Sequence, residues 1–223
     1  MTFSLIARCA KSGQFGMVIS SSSPAVAARC AHSRAGVGAV ASQNITDPGL
    51  GPLILDELAK GSTASAALAT ITHNRQYIDY RQLLVIDAQG RTAIHSGSQV
   101  LGIWGEAQGK DCAAGGNLLA NDTIPTAMIH AFESSTGHLG DRLIAALMAG
   151  LGAGGEAGPV HSAGMKIADR LDWPLVDLRI DWSETPIQAL ESAWQIYRPQ
   201  MAAYVQRAID PTQAPSYGVP GDE

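Results

Sequence analysis

The chain has 223 residues, of which 46% are hydrophobic and 16% charged, enough for one sizeable core but short for two ordinary domains. Its net charge of -5 comes without a run of like charges, which argues against nucleic acid and anionic membranes as partners. We therefore predict a single domain over residues 1–209, followed by an irregular tail over residues 210–223 that is rich in Pro and Gly.

The cysteines and the first residues of the chain bear on its compartment. Cys9, Cys30 and Cys112 are too few and too widely spaced for a disulfide scaffold, and no Cys/His grouping suggests a metal site. Met1 leads at once into strand-like sequence rather than into the basic and apolar segments of a secretory signal. No apolar run is long enough to suggest a membrane span. We expect reduced thiols in a cytoplasmic protein.

The first predicted element is a β-hairpin. Residues 2–8 and 16–20 have the composition of strands and are joined by a short polar turn. If a two-residue loop begins at Ser12, the pairing puts Thr2 opposite Ser23. This register is a prediction that the structure can test.

Strands and helices then follow in groups. Further strands are predicted, in chain order, over residues 35–42, 82–87, 91–96, 113–120, 162–168 and 175–180. Helices are predicted over residues 51–61, after residue 62, over 125–134, over 139–151 and from residue 186, where Pro199 should kink or interrupt the helix. Hairpins that read as buried on both faces, with helices in two groups, fit a four-layer αββα sandwich. Periodicity alone also allows a single-sheet α+β domain.

Four segments resemble a bacterial and archaeal family known as domain of unknown function 1028, and the resemblance covers nearly the whole chain. These segments are residues 2–8 (TFSLIAR), 34–43 (RAGVGAVASQ), 116–119 (GNLL) and 176–181 (VDLRID). The family is grouped by fold with the N-terminal-nucleophile (Ntn) hydrolases. The resemblance therefore implies an α+β, αββα sandwich of two antiparallel sheets. Cys9 departs from the family, because many relatives carry an acidic residue there.

Ntn hydrolases place a Thr, Ser or Cys at the start of the first strand, which makes Thr2 the candidate nucleophile. The terminal α-amino group, with an ordinary pKa of about 7.7 to 8.0, then serves as the base. Thr2 can act in this way only after Met1 is removed, and Thr is small enough for methionine aminopeptidase to cleave before it. The alternative is that Thr2 is simply a strand residue, since Thr favours strands.

Three other polar residues are candidates for the same site, and the predicted register puts Ser21 and Ser23 at the same end of the sheet as Thr2. Ser21 and Ser23 could bind polar atoms of a substrate or orient the nucleophile. They could equally bond to their own backbone at a strand end. Asn117 follows two glycines, which permit close approach of a ligand, and could stabilise an oxyanion. The alternative for Asn117 is a turn or a bulge.

Arg34 and His32 are the remaining candidates for substrate binding. The Arg34 guanidinium could hold a substrate carboxylate in a bidentate pair, or could neutralise a nearby carboxylate such as that of Asp47. His32 lies in the link leading to Arg34, although a lone His is more often a surface residue or a satisfied core residue.

These residues lead to one hypothesis with two alternatives. The hypothesis is an amidohydrolase in which Thr2 attacks the carbonyl carbon of a small-molecule amide and Asn117 stabilises the oxyanion, without a metal or organic cofactor. The alternatives are a non-catalytic protein that binds a small ligand, and an assembly protein that forms a homo-oligomer such as a dimer. The fold alone does not choose among them.

Overall fold

Ten strands form two antiparallel sheets in the computed structural model of the protein, which describes residues 2–221. In chain order they are β1 (Thr2–Arg8), β2 (Phe15–Ser21), β3 (Ala31–Arg34), β4 (Gly38–Asn44), β5 (Arg81–Asp87), β6 (Thr92–Ser96), β7 (Gly105–Gly109), β8 (Cys112–Asn117), β9 (Ser162–Ala168) and β10 (Val176–Ile180). The first sheet has the order β10-β9-β2-β1-β8-β7, and the second has the order β3-β4-β5-β6. Strand β1 therefore lies in the middle of the first sheet.

The helices lie between and outside these sheets. They are α1 (Val26–Cys30), α2 (Leu50–Ala59), α3 (Ala64–Thr72), α4 (Ile124–Ser134), α5 (Leu139–Gly152), α6 (Pro186–Tyr197) and α7 (Met201–Ile209). A 3-10 turn at Arg198–Gln200 separates α6 from α7, which confirms the predicted interruption at Pro199. Among residues 2–221, every helix is too short or too polar to cross the apolar core of a bilayer.

Three buried apolar clusters stack the elements into four layers. One joins α4, α5 and α6 to the outer face of the first sheet, and another joins α2 and α3 to the outer face of the second sheet. The third lies between the two sheets and contains Ile6, Met17 and Leu84. The molecule is therefore an α+β, αββα sandwich of two antiparallel sheets, which confirms the predicted fold and excludes the single-sheet alternative.

Strand alternation sets the direction of each side chain of β1. Phe3 and Leu5 belong to the cluster under the helices, whereas Ile6 belongs to the cluster between the sheets. Ser4 also faces the second sheet, because its hydroxyl donates to a side chain of β4. Since successive side chains point to opposite faces, Thr2 shares the inward face with Ser4 and Ile6.

The predicted register of the first hairpin was wrong by two residues. Phe3 pairs with Ser20, and Cys9 exchanges backbone hydrogen bonds with Gln14 and Gly13 across a four-residue loop. Gly13 closes that loop with a φ of 78°, a left-handed conformation that glycine adopts without strain. Continuing the register by one residue puts Ser21, not Ser23, opposite Thr2. A shift of two residues keeps every side chain on its predicted face.

Two further elements differ from the sequence-based predictions. Residues 35–42 were predicted as one strand, but Gly36 has a φ of 69° in a tight turn that joins β3 to β4. Strand β7 (sequence GEAQG) was not predicted, because it is short and has little of the β-branched and aromatic composition typical of strands. Tertiary pairing with β8 stabilises it instead.

Part of the C-terminal tail packs on α7. The guanidinium of Arg207 donates to the carbonyl oxygens of Pro215 and Ser216 and lies 3.7 Å from the centre of the Tyr217 ring. Cation–π contact and charged hydrogen bonds together order this segment. These contacts hold this part of the tail against α7.

Asp87 connects the second sheet to α3. Its buried carboxylate accepts hydrogen bonds from the backbone N–H of Ala64 at 3.0 Å and of Gln89 at 2.9 Å, and from Nε of Arg91 at 2.8 Å. Burial by itself would raise the pKa of Asp87, but these hydrogen bonds outweigh it and hold the pKa below its ordinary value. The charged carboxylate is thus part of the native structure.

We expect Asp87→Ala to lower the free energy of unfolding by about 2 to 4 kcal/mol at pH 7. A lowered native pKa adds stability above the ordinary pKa, near 4, and that stability is lost as the pH falls through the native pKa. The difference between wild type and variant should therefore shrink in acid. Urea unfolding followed by circular dichroism at pH 7 and at pH 3 measures it, with the exposed Asp172→Ala as the control. A difference that is the same at both pH values would contradict this account.

Candidate functional site

Four polar residues end adjacent strands of the first sheet. Asn117 pairs with Thr2 on one side, Ser21 follows in register on the other side, and Ser162 pairs with Ser21. All four residues are buried. Thr2, Ser21 and Asn117 lie on the inward face by strand alternation. We call Ser162, Ser21, Thr2 and Asn117 the Thr2 row.

A chain of buried side-chain hydrogen bonds joins the Thr2 row to the second sheet. Ser4 Oγ donates to Gln43 Oε1 at 2.6 Å, and Gln43 Nε2 donates to Gln82 Oε1 at 2.9 Å. The same Gln82 oxygen accepts from Asn117 Nδ2 at 3.3 Å. Both glutamines are completely buried, so the two sheets are joined here by polar contacts where the rest of their interface is apolar.

This chain of bonds determines the orientation of the Asn117 amide. Gln82 Nε2 lies 3.3 Å from the carbonyl oxygen of Gly116, and a carbonyl can only accept, so the Gln82 oxygen must face Gln43 and Asn117. Asn117 therefore directs its nitrogen toward Gln82. Within residues 2–221, its Oδ1 is buried and has no hydrogen-bond partner. Because such an atom is costly, we interpret it as an acceptor for a group that enters the site.

The predicted oxyanion role of Asn117 would need a donor rather than this acceptor. Its second Nδ2 hydrogen and the nearby backbone N–H groups could supply one. That role stays a prediction.

The two predicted serines have different positions. Ser21 is the neighbour of Thr2 across the strands, and its Oγ accepts from the backbone N–H of Ser23 at 3.0 Å. Ser23 lies past the end of β2 in a turn, where Ser162 Oγ donates to its carbonyl oxygen at 2.6 Å. The structure thus brings Ser21 to Thr2 and uses the backbone of Ser23 to close the turn. Substrate binding by either serine stays a prediction.

Arg34 and His32 lie away from the Thr2 row. Arg34 pairs with Gly38, which is five residues, or about 17 Å of strand, from Gln43 at the Thr2 end of β4. Its guanidinium makes an exposed ion pair with Asp56 at 2.9 Å, whereas the predicted partner Asp47 contacts Arg75 instead.

The His32 ring packs against Gly51 of α2, on the outer side of the second sheet. Burial lowers its pKa, so the imidazole is neutral at pH 7. Neither His32 nor Arg34 is brought together with Thr2, because β3 directs them to the helix layer and to the far end of the sheet.

Sequence reasoning missed Glu156, which lies in the Gly- and Ala-rich segment after α5. This residue is 5% exposed, and its two carboxylate oxygens lie 3.1 and 3.2 Å from the backbone N of Ser22. Burial raises the pKa of Glu156 to about 7, and the hydrogen bond from Ser22 opposes that rise. The only signal in the sequence was a single acidic residue in an otherwise apolar loop.

Other chemically interesting groups lie elsewhere. Two open cavities, of about 450 Å³ beside Gln14 and about 550 Å³ beside Cys9, lie at the opposite end of β1 from Thr2. Burial raises the pKa of the Cys112 thiol to about 12, so this cysteine is protonated and unreactive. Within the described part of the chain, His, Cys, Asp and Glu side chains form no group of three that could hold a metal ion.

Comparison with known proteins agrees with this architecture. The model of a family described as "Family of unknown function (DUF1028)" matches residues 2–190. A crystal structure of a DUF1028 protein from Silicibacter pomeroyi has 31% sequence identity and a TM-score of 0.86, over 92% of this chain and 90% of that chain.

Two further structural matches, HslV and Anbu, have much lower sequence identity. HslV from Trypanosoma brucei has 10% identity and a TM-score of 0.47, over 76% of this chain and 100% of that chain. Anbu from Yersinia bercovieri has 14% identity and a TM-score of 0.40, over 91% of this chain and 97% of that chain. No protein with a curated description matches the sequence.

The four-layer sandwich, with Thr2 at the start of a central strand, is the architecture that the sequence resemblance implied. The family model covers most of the chain, and the Silicibacter pomeroyi structure shares its fold over nearly the full length. The protein therefore belongs to the DUF1028 family.

Proposed function

We propose that the protein is an Ntn-type amidohydrolase that cleaves a C–N amide bond of a small molecule, with Thr2 as the nucleophile once Met1 has been removed. The observation that carries the proposal is the position of Thr2. It begins the central strand of the first sheet, faces the space between the sheets, and has a buried polar residue on each neighbouring strand. The Thr2 hydroxyl thus lies among side chains that can bind the polar atoms of a substrate.

The proposed reaction uses groups of this chain alone. The Thr2 hydroxyl oxygen attacks the amide carbonyl carbon while its proton passes to the α-amino group of Thr2, directly or through water. The leaving amine takes that proton as the C–N bond breaks, and an ester between Thr2 and the acyl group remains. Water then hydrolyses the ester and regenerates the hydroxyl. No metal or organic cofactor takes part.

The neighbours of Thr2 would orient the reactants. Directly opposite residues in antiparallel strands have Cβ atoms about 4.5 to 5.5 Å apart, so the side chains of Asn117 and Ser21 can both reach a group bound at Thr2. The unpartnered Asn117 Oδ1 would accept a hydrogen bond from an amide N–H of the substrate. Ser21 would contribute a hydroxyl on the other side. Arg34 and His32 have no part in this proposal.

A non-catalytic protein that binds a small ligand is the second candidate. It is favoured by the same Asn117 Oδ1, because a buried acceptor can bind a ligand whether or not Thr2 is terminal. The two candidates differ in one respect: only the hydrolase needs the free amine of Thr2.

We also propose a cytoplasmic homo-oligomer, with a dimer as the simplest form. The support is a short exposed apolar segment after β6, where Leu101 is 43% exposed, Ile103 51% and Trp104 43%. Clustered apolar surface of this kind is typical of protein contacts.

The deciding experiment compares a chain that begins at Thr2 with one that keeps Met1. Both are treated with a β-lactone, which acylates an activated hydroxyl by ring opening and adds its whole mass. We expect one added lactone on the first chain only, located on Thr2 by peptide mapping. Failure of the Thr2 chain to react, together with equal binding of small amides to both chains, would overturn the hydrolase and support the binding protein. Intact mass spectrometry of protein from native cells would show which chain occurs naturally.

A further inference from the structure

The segment around Glu156 continues the line of β1 beyond Thr2. Glu156 pairs with Leu119, two residues past Asn117 on the continuation of β8. The backbone N–H of Ala120 donates to Gly155, and that of Ala157 donates to Leu118, both at 3.0 Å. Leu119 directs its own N–H to Ile103, on the β7 side. The Glu156 segment therefore lies on the opposite side of β8, which is the side of β1.

The other neighbour of the segment is the continuation of β2. Ser22 follows Ser21, the residue opposite Thr2, and its backbone N–H donates to the Glu156 carboxylate. Glu156 thus lies between the same two strands as β1, two residue positions beyond Thr2, or about 7 Å along the strand direction. Its carboxylate reaches back to the level of Ser22, one position from Thr2.

A buried carboxylate therefore lies directly beyond the start of β1. Glu156 is 5% exposed, and the only hydrogen bond to its carboxylate among the described residues is from Ser22. A carboxylate can accept several hydrogen bonds and is costly to bury with few of them. An ammonium group would supply both hydrogen bonds and an opposite charge.

We propose that Glu156 is the residue that holds the α-amino group of Thr2 in the mature chain. The inference rests on the proposed function, because it requires Thr2 to be the first residue of the chain. The carboxylate accepts a hydrogen bond from the amine and so points the lone pair of the amine nitrogen toward the Thr2 hydroxyl. It also stabilises the ammonium group that forms when the amine takes the hydroxyl proton. Glu156 is a positioning residue, because it acts through the amine and not on the substrate.

The charge balance gives a direct test. An opposite charge within about 4 to 6 Å favours the protonated amine by about one pKa unit or more, so removal of the carboxylate should lower the amine pKa. Other titratable side chains at this end of the sheet are His161, whose ring stacks on Trp182, and Glu184, which is 3.8 Å from His161. Glu184→Gln removes the same charge from an exposed position and is the matched control.

The experiment uses the full chain beginning at Thr2, with the Thr2 nitrogen labelled by ¹⁵N and titrated by NMR. We expect Glu156→Gln to lower the amine pKa by about one unit, Glu156→Asp to lower it less, and Glu184→Gln to leave it in place. An unchanged amine pKa in a correctly folded Glu156→Gln variant would overturn the inference. If that variant does not fold, the wild-type titration decides, because a coupled pair gives two steps in the ¹⁵N shift and an isolated amine gives one.

The titration needs no turnover, which separates this inference from the proposed function. A shifted amine pKa in a chain that the β-lactone does not label would keep the Glu156–amine pair and reject the hydrolase. A labelled chain with an unshifted amine would keep the hydrolase and reject the role of Glu156.

Discussion

Thr2→Ala, made in the chain that begins at residue 2, should lower kcat for amide hydrolysis at least about a thousandfold, because it removes the attacking hydroxyl and keeps the terminal amine. Thr2→Ser restores a hydroxyl and should retain activity within about a hundredfold of wild type. The two variants together separate loss of the nucleophile from disturbance of the strand. The effect is measured as the steady-state rate of hydrolysis of small amides that compete with the β-lactone for Thr2.

The fold should tolerate both changes at Thr2. The side chain is small and ends a strand that is paired on both sides, so we expect a loss of about 1 kcal/mol in the free energy of unfolding. Thermal unfolding is the control. If Thr2→Ala keeps more than about a tenth of the wild-type rate while folded, the nucleophile lies elsewhere and the mechanism is rejected.

Gln82→Leu should give the largest loss of stability of any change near the site. The variant has nearly the same volume but leaves Gln43 Nε2 and Asn117 Nδ2 without their acceptor in a completely buried position. Each buried donor left unsatisfied costs about 1 to 3 kcal/mol, so two of them give an expected loss of about 2 to 6 kcal/mol. Chemical unfolding measures it, with the exposed Gln195→Leu of α6 as the control.

The same variant should also lower activity by between about tenfold and a hundredfold, since Asn117 loses the contact that orients its amide beside Thr2. A double-mutant cycle with Gln43→Leu tests whether the residues act as a unit. The double variant should lose less unfolding free energy than the two single variants together, because Gln82→Leu alone already removes the hydrogen-bond acceptor of the Gln43 amide. Additive losses would show that the hydrogen-bonded chain is not cooperative.

Local sequence carried most of the information about secondary structure. The closing strand over Ser162–Ala168 was predicted with its observed bounds, and α5 begins at the predicted residue. The helix has apolar residues recurring along one face and a capping residue before it, and the strand is a short apolar run. Strand β7 was missed because its stability comes from pairing with β8 and not from its own residues.

The part of the site within one strand could likewise be predicted. Thr2 begins β1 as predicted, whereas Asn117 was predicted inside a strand over residues 113–120 and in fact ends β8 beside Thr2. The role of Asn117 could not be predicted, because the direction of its amide depends on Gln82, which is 35 residues away along the chain. Arg34 illustrates the same limit, since β3 places it at the end of the sheet opposite to the Thr2 row.

The sequence by itself predicted an α+β protein built from antiparallel hairpins and placed Thr2 at the start of the first strand, because strand composition and hydrophobic periodicity are local properties. The tertiary structure decided that two sheets face each other and which of the candidate polar groups lie beside Thr2. Ser21 lies opposite it through the register of a four-residue loop, and Glu156 closes the strand through pairing with Leu119, 37 residues earlier. Such contacts depend on how distant segments pack, which no local pattern encodes.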